Sequence, residues 1–109
     1  MKLVMAIVNR DDAERLIDAL TAEGFRATTA GTSGGFLRQG NTTILIGVAD
    51  QDVSRVIRLI RENCHTRTQL VSPIPPAMEP GEVCAPLPVE VQVGGATIFV
   101  LDVLHFEQV

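Results

Sequence analysis

The stretch TTAGTSGGFLRQGNTTILIGV, residues 28–48, decides the fold. Two segments rich in Thr, Ile and Val flank a loop with glycine at positions 31, 34, 35 and 40. β-Branched residues favour strands, and glycine supplies the backbone freedom that a tight loop needs. The stretch therefore reads as strand, Gly31–Gly40 loop, strand. The loop displays Phe36 and Leu37 side by side, although such residues normally lie in a core.

Upstream, Lys2 to Val8 is apolar and partly β-branched, as in a buried strand. Asn9-Arg10-Asp11-Asp12 can cap a helix, and Ala13, Leu16, Ile17 and Leu20 then form one apolar helical stripe. Gly24 is the stop signal. Phe25 to Ala30 predicts a strand with Arg26 and Thr28 on one face. Downstream, Asp50 is placed to cap a second helix. Val53, Val56, Ile57 and Ile60 repeat the stripe, and Arg55, Arg58 and Arg61 fall on its solvated side. That helix should end near Cys64. Thr66 to Pro88 holds all 6 prolines and reads as one long loop, either a packed surface loop or a partner-binding lid. Val89–Val93 and Ala96–Val103 predict strands joined by Gly94-Gly95 as a two-residue hairpin turn.

This order predicts an α+β, ferredoxin-like fold, βαββαβ plus an extra C-terminal strand, as one domain over residues 1–109. Both helices then cover the same sheet face. The other face is apolar and no third helix exists to cover it, so self-association is the simplest solution.

The 109 residues are 46% hydrophobic with a formal net charge of −4. Such a chain can bury a core, and it lacks the dense basic face that binding to a nucleic-acid duplex requires. Trp and Tyr are absent, which argues against a base-stacking sheet of the RNA-recognition type. No apolar run is long enough to cross a bilayer, and the start lacks the pattern of a signal peptide. The expected location is cytoplasmic, where Cys64 and Cys84 stay reduced.

The chemistry-bearing residues are few. The Gly-rich loop reads either as an ordinary turn or as an amide cradle for an anion. It is neither a Walker A loop nor a dinucleotide fingerprint. Arg26 offers a planar fork of donors and Asn41 both donates and accepts, yet each also fits an exposed strand position. Gly47, inside a strand, marks a place where another group approaches the backbone. Cys64, His65, Cys84 and His105 fit no familiar zinc spacing, and no acid–base or nucleophile pair stands out. No enzyme activity, metal or cofactor is expected.

FRATTAGTSGGFLRQGNTTILIGV, RENCHTRTQLVSP and PLPVEVQVGGATIFVLDVLHFEQV together resemble the PII-like cyclic di-AMP receptor proteins of bacteria, the PstA/DarA family. The resemblance covers the whole chain. It implies a homotrimer related to the nitrogen-regulatory PII proteins, with one cyclic di-AMP in each cleft between subunits and a downstream protein partner that it does not identify. The PII proteins carry a modifiable tyrosine on a long first loop. Here that loop is short and tyrosine is absent, so uridylylation is not expected. The implied ligand residues are Arg26, Thr28, Gly35, Phe36, Leu37, Asn41, Gly47 and Gln108. Phe36 and Leu37 would pack on an adenine face, amides of Gly35 to Leu37 and Asn41 would meet base edges, and Arg26 and Thr28 would serve a phosphate or the second base. The chain departs most in IPPAMEPGEVCAPL, which is rich in proline. The competing expectations are a sensor of ATP or ADP, and a structural or metal-binding ferredoxin-like trimer.

Overall fold

The fold is built around β1 (Lys2–Asn9), whose alternating side chains face two different surroundings. Val4, Ala6 and Val8 are buried on one side, while Leu3 and Met5 are half-buried on the other. The computed structural model describes residues 1–30, 40–71 and 89–109. The strand pairs antiparallel with β3 (Asn41–Val48) and with a late strand, Ala96–Asp102. With β2 (Ala27–Ala30) outside β3, these make a four-stranded antiparallel sheet. Helices α1 (Arg10–Ala22) and α2 (Val53–Asn63) pack on the same face of it. This is the split β-α-β arrangement that the sequence predicts.

The core between helices and sheet is continuous. Leu16 and Leu20 of α1 and Val56 and Ile60 of α2 meet Val4, Ala6, Ile44 and Ile46, all of them fully buried. The i, i+3, i+4 spacing of apolar residues produces this face. Asn9 caps α1 by accepting from the Asp11 N–H at 2.9 Å. At the other end Gly24 takes φ +88°, with its N–H donating to Thr21 O and the Phe25 N–H donating to Leu20 O. That Schellman closure uses the Phe25 amide, so β2 starts at Ala27 and not at Phe25. Phe25 packs on the core, with the Arg55 guanidinium 5.3 Å above its ring.

Three further expectations change. Asp50 does not cap α2, which has no side-chain cap. It opens a short 3-10 turn, and its carboxylate pairs with the Met1 amino group at 2.8 Å, which holds its pKa below the usual carboxylate value. Thr66–Pro88 is not all loop. Arg67–Val71 forms β4 and pairs with β5 (Val89–Val93) in a separate two-stranded sheet. The prolines of this segment lie outside the described residues, as does the Gly31–Gln39 part of the first loop. Gly94-Gly95 is accordingly no hairpin turn. It carries the chain from β5 in the ribbon to β6 (Ala96–Asp102) beside β1, so the additional strands precede the closing strand.

The junction of ribbon and body is built around one buried charge. Asp12 is fully buried, and its carboxylate accepts from Arg15 at 2.6 Å and from Arg67 at 3.1 and 3.2 Å. Arg15 also donates to Asn63 O at 2.7 Å, which ties the two helices together. Gly94 lies directly against this group. A Cβ there would stand 2.6 Å from His65 O and 2.7 Å from Arg67 Nη1. Gly24 has a similar φ but open space around it. Gly24→Ala should therefore cost only the left-handed strain, about 1–2 kcal/mol. Gly94→Ala adds steric conflict and should cost clearly more. Urea denaturation of the two variants measures the difference, and equal losses would refute this account of the junction.

Candidate functional site

Two structural ends must be kept apart. At one end of the sheet, β1 finishes at Asn9 opposite Asn41, and the ribbon and the Gly-rich loop both leave from there. The Gly40 carbonyl accepts from the Arg10 N–H at 2.6 Å, which roots that loop on the start of α1. At the other end, Leu3 lies opposite Gly47 and Leu101.

The face without helices is laid out by strand register. Opposed residues of antiparallel strands share a face. Thr28, Leu45, Met5 and Phe99 thus form one row, and Gly47, Leu3 and Leu101 form the next. Phe99 and Leu101 are 41% and 44% exposed. Beyond β6 the tail turns back past the chain start, with the Val103 N–H donating to Met1 O at 3.2 Å.

This tail, with Leu3 and Gly47 of the second row and Thr28 and Leu45 of the first, lines a cleft of about 570 Å³. Arg26, Thr28, Gly47 and Gln108 all line it, so four ligand positions expected from the sequence come together. Its remaining surface is mainly apolar and includes Leu3, Leu45, Val103 and Phe106. Gly47 leaves the floor low. A Cβ there would meet only the flexible end of Met1, Cε at 3.3 Å. The polar groups are an arginine, a hydroxyl, a carboxamide and the Glu107 carboxylate. Such a cleft suits a flat, partly apolar ligand with some anionic character.

Asn41 belongs to the same face but not to this cleft. It lies six residues along β3 from Gly47, about 20 Å away at the rise of an antiparallel strand. Gly35, Phe36 and Leu37 lie outside the described residues. The cleft residues not singled out from sequence are Met1, Leu3, Leu45, Val103, Phe106 and Glu107. Strand parity with Gly47 and Thr28 could have found Leu3 and Leu45. The tail could not be placed without knowing where β6 ends.

A second cleft of about 480 Å³ lies between α2 and β6, lined by Ile60, Arg61, Cys64, His65, Thr66 and Ile98 among others, and holds none of the expected ligand residues. Among the described residues no three His, Cys, Asp or Glu side chains converge on one point. Cys64 is buried at the end of α2, His65 is exposed beside it, His105 stands in the tail, and Cys84 lies outside the described residues. No helix among the described residues is long and apolar enough to cross a membrane.

A sequence model of the family described as cyclic-di-AMP receptor matches residues 1–109. The chain belongs to the cyclic di-AMP receptor family. It is also similar to a solved structure of a functionally unknown protein from Pediococcus pentosaceus, with 41% identity and a TM-score of 0.73 over 99% of this chain and 96% of that one. Family membership agrees with the α+β sheet and two helices, and it implies cyclic di-AMP as the ligand class.

Burial also settles the character of Cys64. Loss of solvent, and next the negative charge of Asp12, push its thiol up to about 11 from an ordinary 9.0. The neutral thiol therefore favours the folded state below pH 9, and this contribution is lost as pH rises toward about 11. At pH 8 the folded protein should alkylate at Cys64 at least roughly 100-fold more slowly than the unfolded chain. Peptide mapping after timed iodoacetamide treatment reads this, and rapid labelling of Cys64 in the native protein would contradict it.

Proposed function

We propose that this chain is a non-enzymatic bacterial signalling protein that binds cyclic di-AMP in clefts shared between the subunits of a homotrimer. Residues 1–109 act as one receptor domain in the cytoplasm. Arg26, Thr28, Gly47 and Gln108 of one copy meet Gly35, Phe36, Leu37 and Asn41 of its neighbour around the ligand. Ligand binding rearranges loops of the chain, and these address a downstream protein.

The observation that carries this reading is the distance along β3. One chain holds half of the expected ligand residues in the cleft and holds Asn41 about 20 Å away, on the same helix-free face of the sheet. A second copy seated on that face would bring the two groups together. It also removes Phe99 and Leu101 from water, which favours association. A heterologous contact of this kind closes into a ring of three when it relates copies by a third of a turn.

The chemistry is consistent with a cyclic dinucleotide. Its two phosphodiesters carry less charge than a triphosphate, and one arginine with hydroxyl, carboxamide and loop amides can serve them. ATP and ADP, whose phosphates demand more cationic donors, are the natural controls.

Calorimetric titration of cyclic di-AMP should give about one site per chain, with no heat from ATP or cyclic di-GMP. Arg26→Ala and Asn41→Ala should each weaken binding by about tenfold or more. When the two variants are co-refolded as an equal mixture, random trimers regain parent-like sites at roughly a quarter of the parent number, because each mixed ring has one intact junction. A site built within one chain regains none. Failure of the parent to bind cyclic di-AMP would overturn the ligand. Failure of the mixture alone would overturn the shared cleft.

A further inference from the structure

The chain has 4 phenylalanines and no tryptophan or tyrosine, so each aromatic ring is a scarce resource. Phe25 is spent on the core beneath Arg55. Phe99 sits on the uncovered sheet face. Phe36 lies outside the described residues. Phe106 is different: it stands in the tail, remains 63% exposed, and yet lines the cleft together with Arg26, Thr28 and Gln108.

Its position is set by the backbone. The Val103 N–H to Met1 O bond holds the tail against the first strand. Phe106 and Gln108, two residues apart, both line the cleft, whereas Leu104 points away and is 99% exposed. Leu3, Leu45 and Val103 provide an apolar surround. An aromatic ring left open to water beside such a surround is suited to receive a flat aromatic partner.

We propose that Phe106 is a base-stacking residue of the cleft and a determinant of its preference for dinucleotides. This rests on the cyclic di-AMP reading above and goes beyond it. Cyclic di-AMP carries two adenines, and each needs a surface once it leaves water. The Phe36–Leu37 pair of the neighbouring copy supplies one. Phe106, on the wall of the cleft, supplies the other. Gln108 is on the same wall and offers a donor and an acceptor to the edge of the stacked base. A mononucleotide has a single base and can use only one of the two surfaces, so losing Phe106 removes an advantage that belongs to the dinucleotide.

Three substitutions test this by calorimetry with cyclic di-AMP and AMP. Phe106→Ala should weaken cyclic di-AMP by about tenfold or more and narrow its margin over AMP, since stacking on an aromatic residue is typically worth that much per base. Phe106→Leu, which keeps apolar area but has no π face, should recover only part. Phe106→Trp should bind nearly as the parent does. Its indole would be the only one in the protein, and its emission should be quenched as cyclic di-AMP is added. Cyclic di-AMP affinity of Phe106→Ala within twofold of the parent would overturn the proposal, and so would indole emission unmoved by saturating ligand. Sedimentation is read alongside. If Phe106→Ala dissociates the assembly, the ring covers a neighbouring subunit and the stacking role is wrong. A parent protein that ignores cyclic di-AMP would overturn the receptor reading, and this one with it.

Discussion

Both helices of this chain lie on one face of a four-stranded sheet, and much of the molecule follows from that one-sided burial. Val4, Ala6, Val8, Ile44 and Ile46 satisfy the helices, and strand parity then sends Leu3, Met5, Leu45, Phe99 and Leu101 to the opposite side. An apolar sheet face in water loses the free energy that burial would provide, about 25 cal/mol for each Å². The same alternation that makes the core therefore also makes the surface on which a ligand or another copy gains most. The cleft is the end of that surface, closed by a tail that returns past the first strand.

The composition of the cleft sets the kind of recognition it can perform. It holds one arginine and one carboxylate, with small polar groups and an apolar floor. Long-range attraction to an anion is correspondingly weak, and selectivity in such a cleft depends on shape and on apolar contact. Gly47 matters here because of what it omits. Any side chain at that register position would rise into the cleft from near the end of the β3 ladder, where Gly47 is still paired with Leu3 of β1.

Much of this was legible in the sequence. Helical stripes at Ala13–Leu20 and Val53–Ile60 and the β-branched run at Asn41–Val48 are local signals, and the core uses them nearly as read, with Leu59 buried where the stripe gave Ile57. The family resemblance rests on residues that the family comparison also matches across the whole chain. What escaped was decided by competition between neighbours. The Phe25 amide was claimed by a helix end, and Asp50 by an amino group. Gly94-Gly95 has turn chemistry, and both residues do take positive φ. Whether such a pair reverses a hairpin or passes between sheets depends on a partner strand, Arg67–Val71, hidden ahead of a proline-rich segment. Arg26, Thr28, Gly47 and Gln108 are scattered over 83 positions of chain, and only the register and the path of the tail place them around one space.

The ribbon of β4 and β5 has a mechanical consequence. A two-stranded sheet is marginal by itself, and this one is held at its base by Asp12, Arg67 and the two glycines. Five residues of strand form an arm about 17 Å long from that base. A rotation of about 10° at the Asp12 carboxylate would carry the far end through about 3 Å, roughly the length of one strand residue. The fulcrum is a single buried carboxylate held by two partly exposed arginines. A small displacement at the start of α1 would thereby be magnified along the length of the arm.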